Sequence, residues 1–146
     1  MVVGKLRDGP TKTLLQDLRI SDRVSFKTNL DTDALARAYA RSTLVVCPSL
    51  YEGFGFPAAE AMACGTPVVA TTGGALPEVV GAAGFLTPPK DAPALARAIA
   101  TLLDQPERRH KLGQKGRKRM LEKFSWKAAA LSYEAVYTQA IAHAHH

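Results

Sequence analysis

The chain is 146 residues long, with 47% hydrophobic and 22% charged residues, a balance that fits one globular domain and excludes disorder, a collagen-like repeat and a disulfide scaffold. Nineteen Lys/Arg against thirteen Asp/Glu give a formal net charge of +6. No apolar run approaches the roughly 18 residues of a membrane-spanning helix.

In chain order, the apolar run 1–4 predicts a strand. Leucines at 14, 15 and 18 predict a helix over 11–20. The alternation in RVSFK predicts a strand over 23–27, and Leu35, Ala36, Ala38 and Tyr39 predict a helix over 31–42, with Asp31, Thr32 or Asp33 as its N-cap. The nearly continuous apolar run TLVVC, 43–47, suits a strand covered on both faces. Pro48 and Ser49 end it, Gly53 and Gly55 break the chain, and Pro57 suits the first turn of a helix over 58–64 that stops at Gly65. A strand over 66–71, a short helix over 76–80 and a last strand over 84–87 follow, then helices over 91–103, 107–124 and 125–142. Strands alternating with helices predict an α/β fold with a Rossmann-like parallel sheet and a helical C-terminal segment. Such sheets take ligands outside the carboxyl ends of their strands, which directs attention to the loops near residues 4–5, 27–30, 47–56 and 71–75.

Cys47 and Cys64 stand singly in apolar surroundings and read as reduced thiols. The first ten residues carry no signal-peptide pattern, so a cytoplasmic location is expected. The positive charge is local, because residues 108–127 hold nine Lys/Arg and one acid, Glu122. Leu112, Gly116, Met120 and Phe124 are available to pack there, so the basic side reads as a solvated helix face. Contact with an acidic membrane at its inner face is the alternative. Nucleic acid is not expected, for want of interleaved stacking aromatics.

The chemistry concentrates in Glu52-Gly53-Phe54-Gly55-Phe56-Pro57-Ala58-Ala59-Glu60. Two glutamates flank a glycine-broken loop that runs into a helix. Glycines let the backbone approach a ligand closely, and the helix N-terminus offers unpaired amides to a phosphate. Carboxylates accept hydroxyl hydrogen bonds, which suits the vicinal diols of a sugar or ribose. The helix after the loop is almost wholly apolar apart from Glu60, which predicts burial on most sides and a carboxylate in need of partners.

The segment PSLYEGFGFPAAEAMACGTPVVATTGGALPEVVGAAGFLTPP resembles the signature of retaining glycosyltransferases of family 4, which have the GT-B architecture. Glu52 and Glu60 match its E-x7-E element, and the resemblance covers nearly the whole chain. It implies that residues 1–146 form the C-terminal, nucleotide-sugar-binding (glycosyltransferase group 1) domain of a retaining transferase. The donor would be a UDP- or GDP-linked sugar and the acceptor a sugar or lipid hydroxyl. Glu52 would contact the transferred sugar as the catalytic glutamate. The backbone of Gly53, Phe54, Gly55 and Phe56 would face sugar and diphosphate, and Glu60 would bind the ribose. The base would lie near residues 28–30. No metal and no other cofactor is implied, and a donor diphosphate oxygen would assist deprotonation of the acceptor on the same face of the sugar.

Family members open this half with a further strand and a Gly-Arg…Lys segment whose two cations hold the diphosphate, and they carry an N-terminal acceptor domain. None of these is matched in the sequence, so the chain is expected to lack them and to work with a separate N-terminal half. Lys5 or Lys27 could stand in for the cations or be plain surface lysines. The alternative reading is a non-catalytic nucleotide-sugar-binding module or one subunit of a two-chain enzyme. A nucleotide-sugar epimerase fits the GFGFPAAE loop less well. Asp31-Thr32-Asp33 matches the D-x-D of metal-dependent transferases but reads as a helix cap, and His143, His145 and His146 read as a frayed tail rather than a zinc site.

Overall fold

The computed structural model describes residues 1–4 and 9–144. Lys5, His145 and His146 lie outside the described residues. The chain divides into two compact units, Met1–Leu35 and Ala36–His146.

In the first unit, β1 (Val2–Val3) pairs in parallel with β2 (Phe26–Lys27), Val2 opposite Phe26. Lys27 is exposed. Helix α1 (Pro10–Asp17) has Pro10 in its first turn and ends earlier than its leucine spacing predicts. The Ile20 amide reaches back to the Leu15 carbonyl and the Arg19 amide to Gln16, while Arg19 takes φ 52. These are the bonds of a Schellman stop, with arginine where glycine is usual. The expected strand over 23–27 is shortened to Phe26–Lys27, its first residue, Arg23, ending a 3₁₀ turn over Ser21–Arg23. Helix α2 (Thr32–Ala40) is capped by Asp31, whose Oδ1 accepts the Ala34 amide at 2.7 Å. The first aspartate of the D-x-D pattern is thereby committed to the helix end.

The second unit holds a three-stranded parallel sheet in the order β3 (Val45–Cys47), β4 (Val68–Thr71), β5 (Phe85–Thr87), with Val46 opposite Val69 and Val69 opposite Phe85. Val68, Val69 and Ala70 of the central strand are fully buried, as expected of a parallel strand covered on both faces. Helices α3 (Phe56–Ala63), α4 (Leu76–Val80) and α5 (Ala92–Asp104) pack on the sheet. Val69, Ala98 and Leu102 form a core cluster, joined by Leu44, Phe85, Leu95, Ile99 and Leu112. A 3₁₀ turn, Gly81–Ala83, which no sequence pattern predicted, joins α4 to β5.

Helix α6 (Pro106–Lys123) lies against α3. A Cβ on Gly113 would overlap the Gly65 carbonyl oxygen, and Gly116 sits on Met62, so the two glycines permit a close crossing. Arginines then tie α6 to the ends of other helices. Arg117 donates to the Ala63 carbonyl at 2.9 Å, Arg119 to Val79 and Glu78, and Arg109 to Leu102. Part of the basic segment thus satisfies helix-end carbonyls. Helix α7 (Trp126–Ala144) is largely exposed along its length, and within it His143 Nδ1 sits 2.8 Å from the Gln139 carbonyl oxygen.

Candidate active site

The site begins where β3 ends. Cys47 is the last residue of the strand, and the chain then loops through Pro48–Gly55 before entering α3. The loop is fixed from both sides. Thr71, at the end of β4, donates its hydroxyl to the Ser49 carbonyl, and the Ala75 amide donates to the Glu52 carbonyl at 2.9 Å. Gly73 and Gly74 let this second loop press against the first, because a Cβ on either would collide with the backbone of residues 49–52. Gly74 also has φ 63, which favours glycine. The carboxyl ends of adjacent parallel strands thus share one rigid wall.

Glu52 is half-buried in that wall, and Ser49 Oγ donates to its Oε1 at 2.6 Å. A cavity of about 160 Å³ opens here, lined by Cys47, Ser49, Glu52, Gly55, Pro57 and Leu76 among others. Gly55 makes the corner into α3 at φ 95, pressed so closely on Leu76 that a Cβ would come within 2.8 Å of its Cδ2. Its carbonyl accepts the Ala58 and Ala59 amides, and Pro57 has none, which leaves the Phe56 amide as the first-turn donor outside the helix ladder. Phe54 turns into the protein, its ring 4.9 Å from Phe56 and 5.8 Å from Phe124. The Phe54 side chain therefore anchors the loop, while Gly53 and Phe56 are exposed.

Glu60 stands apart from this cavity. The expectation that α3 is buried on most sides is corrected: Ala58, Ala61 and Met62 are buried, whereas Ala63 and Glu60 are exposed. The carboxylate has a partner, since the Tyr39 hydroxyl donates to Glu60 Oε2 at 3.1 Å. Tyr39 is buried, and Thr66 Oγ1 donates to its carbonyl at 2.8 Å. Burial, reinforced by the Glu60 charge, holds the Tyr39 phenol well above the usual range, so it acts as a donor. Burial and then Glu52 push the Cys47 thiol up to about 11.

Ser49 and Tyr39 were not singled out by sequence. Ser49, three residues before Glu52, is a recognisable local pairing. Tyr39 lies 21 residues from Glu60, and no local spacing reveals it. Lys27 and residues 28–30 belong to the first unit, each exposed except the half-buried Leu30.

Residues 1–119 match the family model "Glycosyl transferases group 1". The chain belongs to this family. Over 145 residues it is 46% identical to an MMP alpha-(1->4)-mannosyltransferase from Mycolicibacterium hassiacum, covering 97% of this chain and 35% of that protein. It is similar to a sucrose-phosphate synthase structure from Thermosynechococcus elongatus, with a TM-score of 0.82 and 39% identity over 96% of this chain and 38% of the other. It is also similar to Anabaena HepE, solved in complex with UDP and glucose, with a TM-score of 0.74 and 26% identity over 88% of this chain and 35% of the other. The chain spans about a third of the length of the curated relatives it matches, in their C-terminal portion. The fold is Rossmann-like with a C-terminal helix and matches part of the GT-B glycosyltransferase structures.

Proposed function

We propose that this chain supplies the donor site for retaining transfer of a sugar from a UDP- or GDP-linked donor to a sugar or lipid hydroxyl. The observation that carries the reading is the wall at the carboxyl ends of β3 and β4, which holds the Glu52 carboxylate by Ser49 beside the glycine corner into α3. Glu52 is the catalytic glutamate, accepting the hydroxyls of the transferred sugar. The backbone of Gly53, Phe54, Gly55 and Phe56 faces the sugar and diphosphate, with the α3 N-terminus favouring the negative charge. Glu60, exposed one turn along α3, accepts the ribose hydroxyls. HepE, bound to UDP and glucose, supports the donor class, and the mannosyltransferase name supports mannose as the first sugar to try. Attack on the same face of the sugar as departure keeps the anomeric configuration, with the leaving diphosphate taking the acceptor proton.

Calorimetry with UDP, UDP-glucose, GDP and GDP-mannose tests the roles. Glu60→Gln is expected to weaken bare nucleotide and nucleotide sugar alike, by about 1–3 kcal/mol. Glu52→Gln is expected to weaken only the nucleotide sugar. Equal losses for both ligands in both variants would refute the division of labour.

The basic helix carries a second, smaller proposal. Lys111, Lys115 and Lys123 are exposed beside the arginines committed to carbonyls, and they suit anionic lipid headgroups. Sedimentation with anionic vesicles that falls as salt rises is expected, and no sedimentation at low ionic strength would refute it.

A further inference from the structure

Glu60 lies on the exposed side of α3, where a carboxylate on a flexible stem samples many rotamers. Here it does not swing freely. The Tyr39 hydroxyl holds one oxygen, Oε2, at 3.1 Å. Tyr39 is itself immobilised from three directions: its residue is 9% exposed, it sits in α2, and its carbonyl accepts the Thr66 hydroxyl from the turn between α3 and β4. Thr66 is buried, and its amide returns to the Ala61 carbonyl one residue beyond Glu60. Tyr39, Thr66 and α3 therefore form a closed circuit of hydrogen bonds whose one exposed member is Glu60. Tyr39 is the buried residue of α2, and its hydroxyl, which needs a partner when buried, finds it in the exposed Glu60.

We propose that Tyr39 is a positioning residue of the nucleotide site, its hydroxyl holding one oxygen of Glu60 so that the other is left to receive a ribose hydroxyl. The inference rests on the reading of Glu60 as the ribose anchor. It goes beyond that reading by assigning the orientation of the anchor to a residue outside the loop and α3. Burial, reinforced by the Glu60 charge, keeps the phenol protonated at neutral pH, so it is available as a donor to the carboxylate.

The test compares Tyr39→Phe, Glu60→Gln and the double variant in the full chain. Calorimetry measures UDP and GDP, each against its 2′,3′-dideoxy analogue. Loss of the Tyr39 hydroxyl is expected to weaken the ribonucleotide about 5- to 20-fold, at or below the lower end of what one hydrogen bond to a charged group contributes, because the anchor is loosened and not removed. The dideoxy analogue, which has no hydroxyl to offer Glu60, is expected to keep its affinity. The double variant is expected to be no weaker than Glu60→Gln alone, since both changes remove the same interaction. The ratio of the two ligands is read within each variant, so partial unfolding lowers both together and leaves the ratio unchanged. Equal weakening of ribo- and dideoxynucleotide by Tyr39→Phe would mean a merely structural tyrosine and overturn the proposal. Loss of ribose preference in Glu60→Gln but not in Tyr39→Phe would overturn it while leaving the ribose anchor standing. An unchanged ratio in Glu60→Gln, or no nucleotide binding by the unaltered chain, would overturn the anchor itself and Tyr39's role with it.

Discussion

Cys47 shows how the site's charge reaches its floor. The thiol is buried at the end of β3, and burial together with the Glu52 carboxylate raises it from 9.0 to about 11. Below its ordinary value neither the folded nor the unfolded chain ionises it, and its contribution to stability is complete. Above that value the unfolded chain releases the proton first, so stability is lost as pH rises until the folded thiol also ionises near 11. At about 1.4 kcal/mol per pH unit, the loss amounts to roughly 3 kcal/mol. Denaturant unfolding across this alkaline window is expected to show the decline in the native chain and a shallower one in Cys47→Ala. In Glu52→Gln the thiol is expected to titrate at lower pH, read by thiolate absorbance, because one of its two perturbing causes is gone. At neutral pH a thiol reagent is expected to label the half-buried Cys64 and to reach Cys47 only on unfolding.

At the scale of elements, the crossing of α3 and α6 depends on backbone meeting backbone. Gly113→Ala places a methyl group onto the Gly65 carbonyl oxygen, which cannot move without shifting the turn into β4. Gly116→Ala meets Met62 side-chain carbons at 3.3 Å, which a small rotation relieves. Thermal unfolding is expected to show a loss of about 1–3 kcal/mol at Gly113 and a smaller one at Gly116. The same close crossing explains what sequence could and could not reveal. Strand β4 was legible because burial on both faces writes an unbroken apolar run, and α5 because Asp91 caps an amphipathic stretch, accepting the Ala94 amide at 2.8 Å. The end of α1 was not, because Arg19 takes a conformation that sequence assigns to glycine. The basic face of α6 read as solvated, yet Arg109, Arg117 and Arg119 close helix ends, a role set by tertiary neighbours. In the site, glycine and charge spacing marked the loop and both glutamates as candidates, and the family resemblance gave them their expected roles. The exposure of Glu60 was not, because an alanine-rich helix reads the same whether one face or all faces are buried.

For the whole molecule, the question is what this unit does alone. A ligand of nucleotide-sugar size ordinarily sits in a pocket of about 300–1,000 Å³ with most of its surface covered. The cavity beside Glu52 measures about 160 Å³, while Glu60 and Phe56 face solvent, Phe56 with 67% of its surface exposed. On the proposed function, such a surface is expected to hold a nucleotide along one side and to leave the opposite side of the sugar in water. Transfer requires an acceptor oxygen held at a few ångströms from the anomeric carbon, with competing water kept out. The wall formed by β3, β4 and α3 offers one side only, so the proposed transfer is expected to need a further surface over it. The relatives, of which this chain spans about a third, have the length to supply one. The 146-residue chain is therefore expected to bind nucleotide weakly and to show no measurable transfer by itself. Turnover is expected when the N-terminal portion of a full-length relative is fused or added. A radiolabelled-donor assay against sugar and lipid acceptors, with and without that portion, measures both states. Glu52→Ala is expected to abolish the restored turnover. Robust transfer by the lone chain, lost in Glu52→Ala, would show that the open wall is already a complete catalytic site.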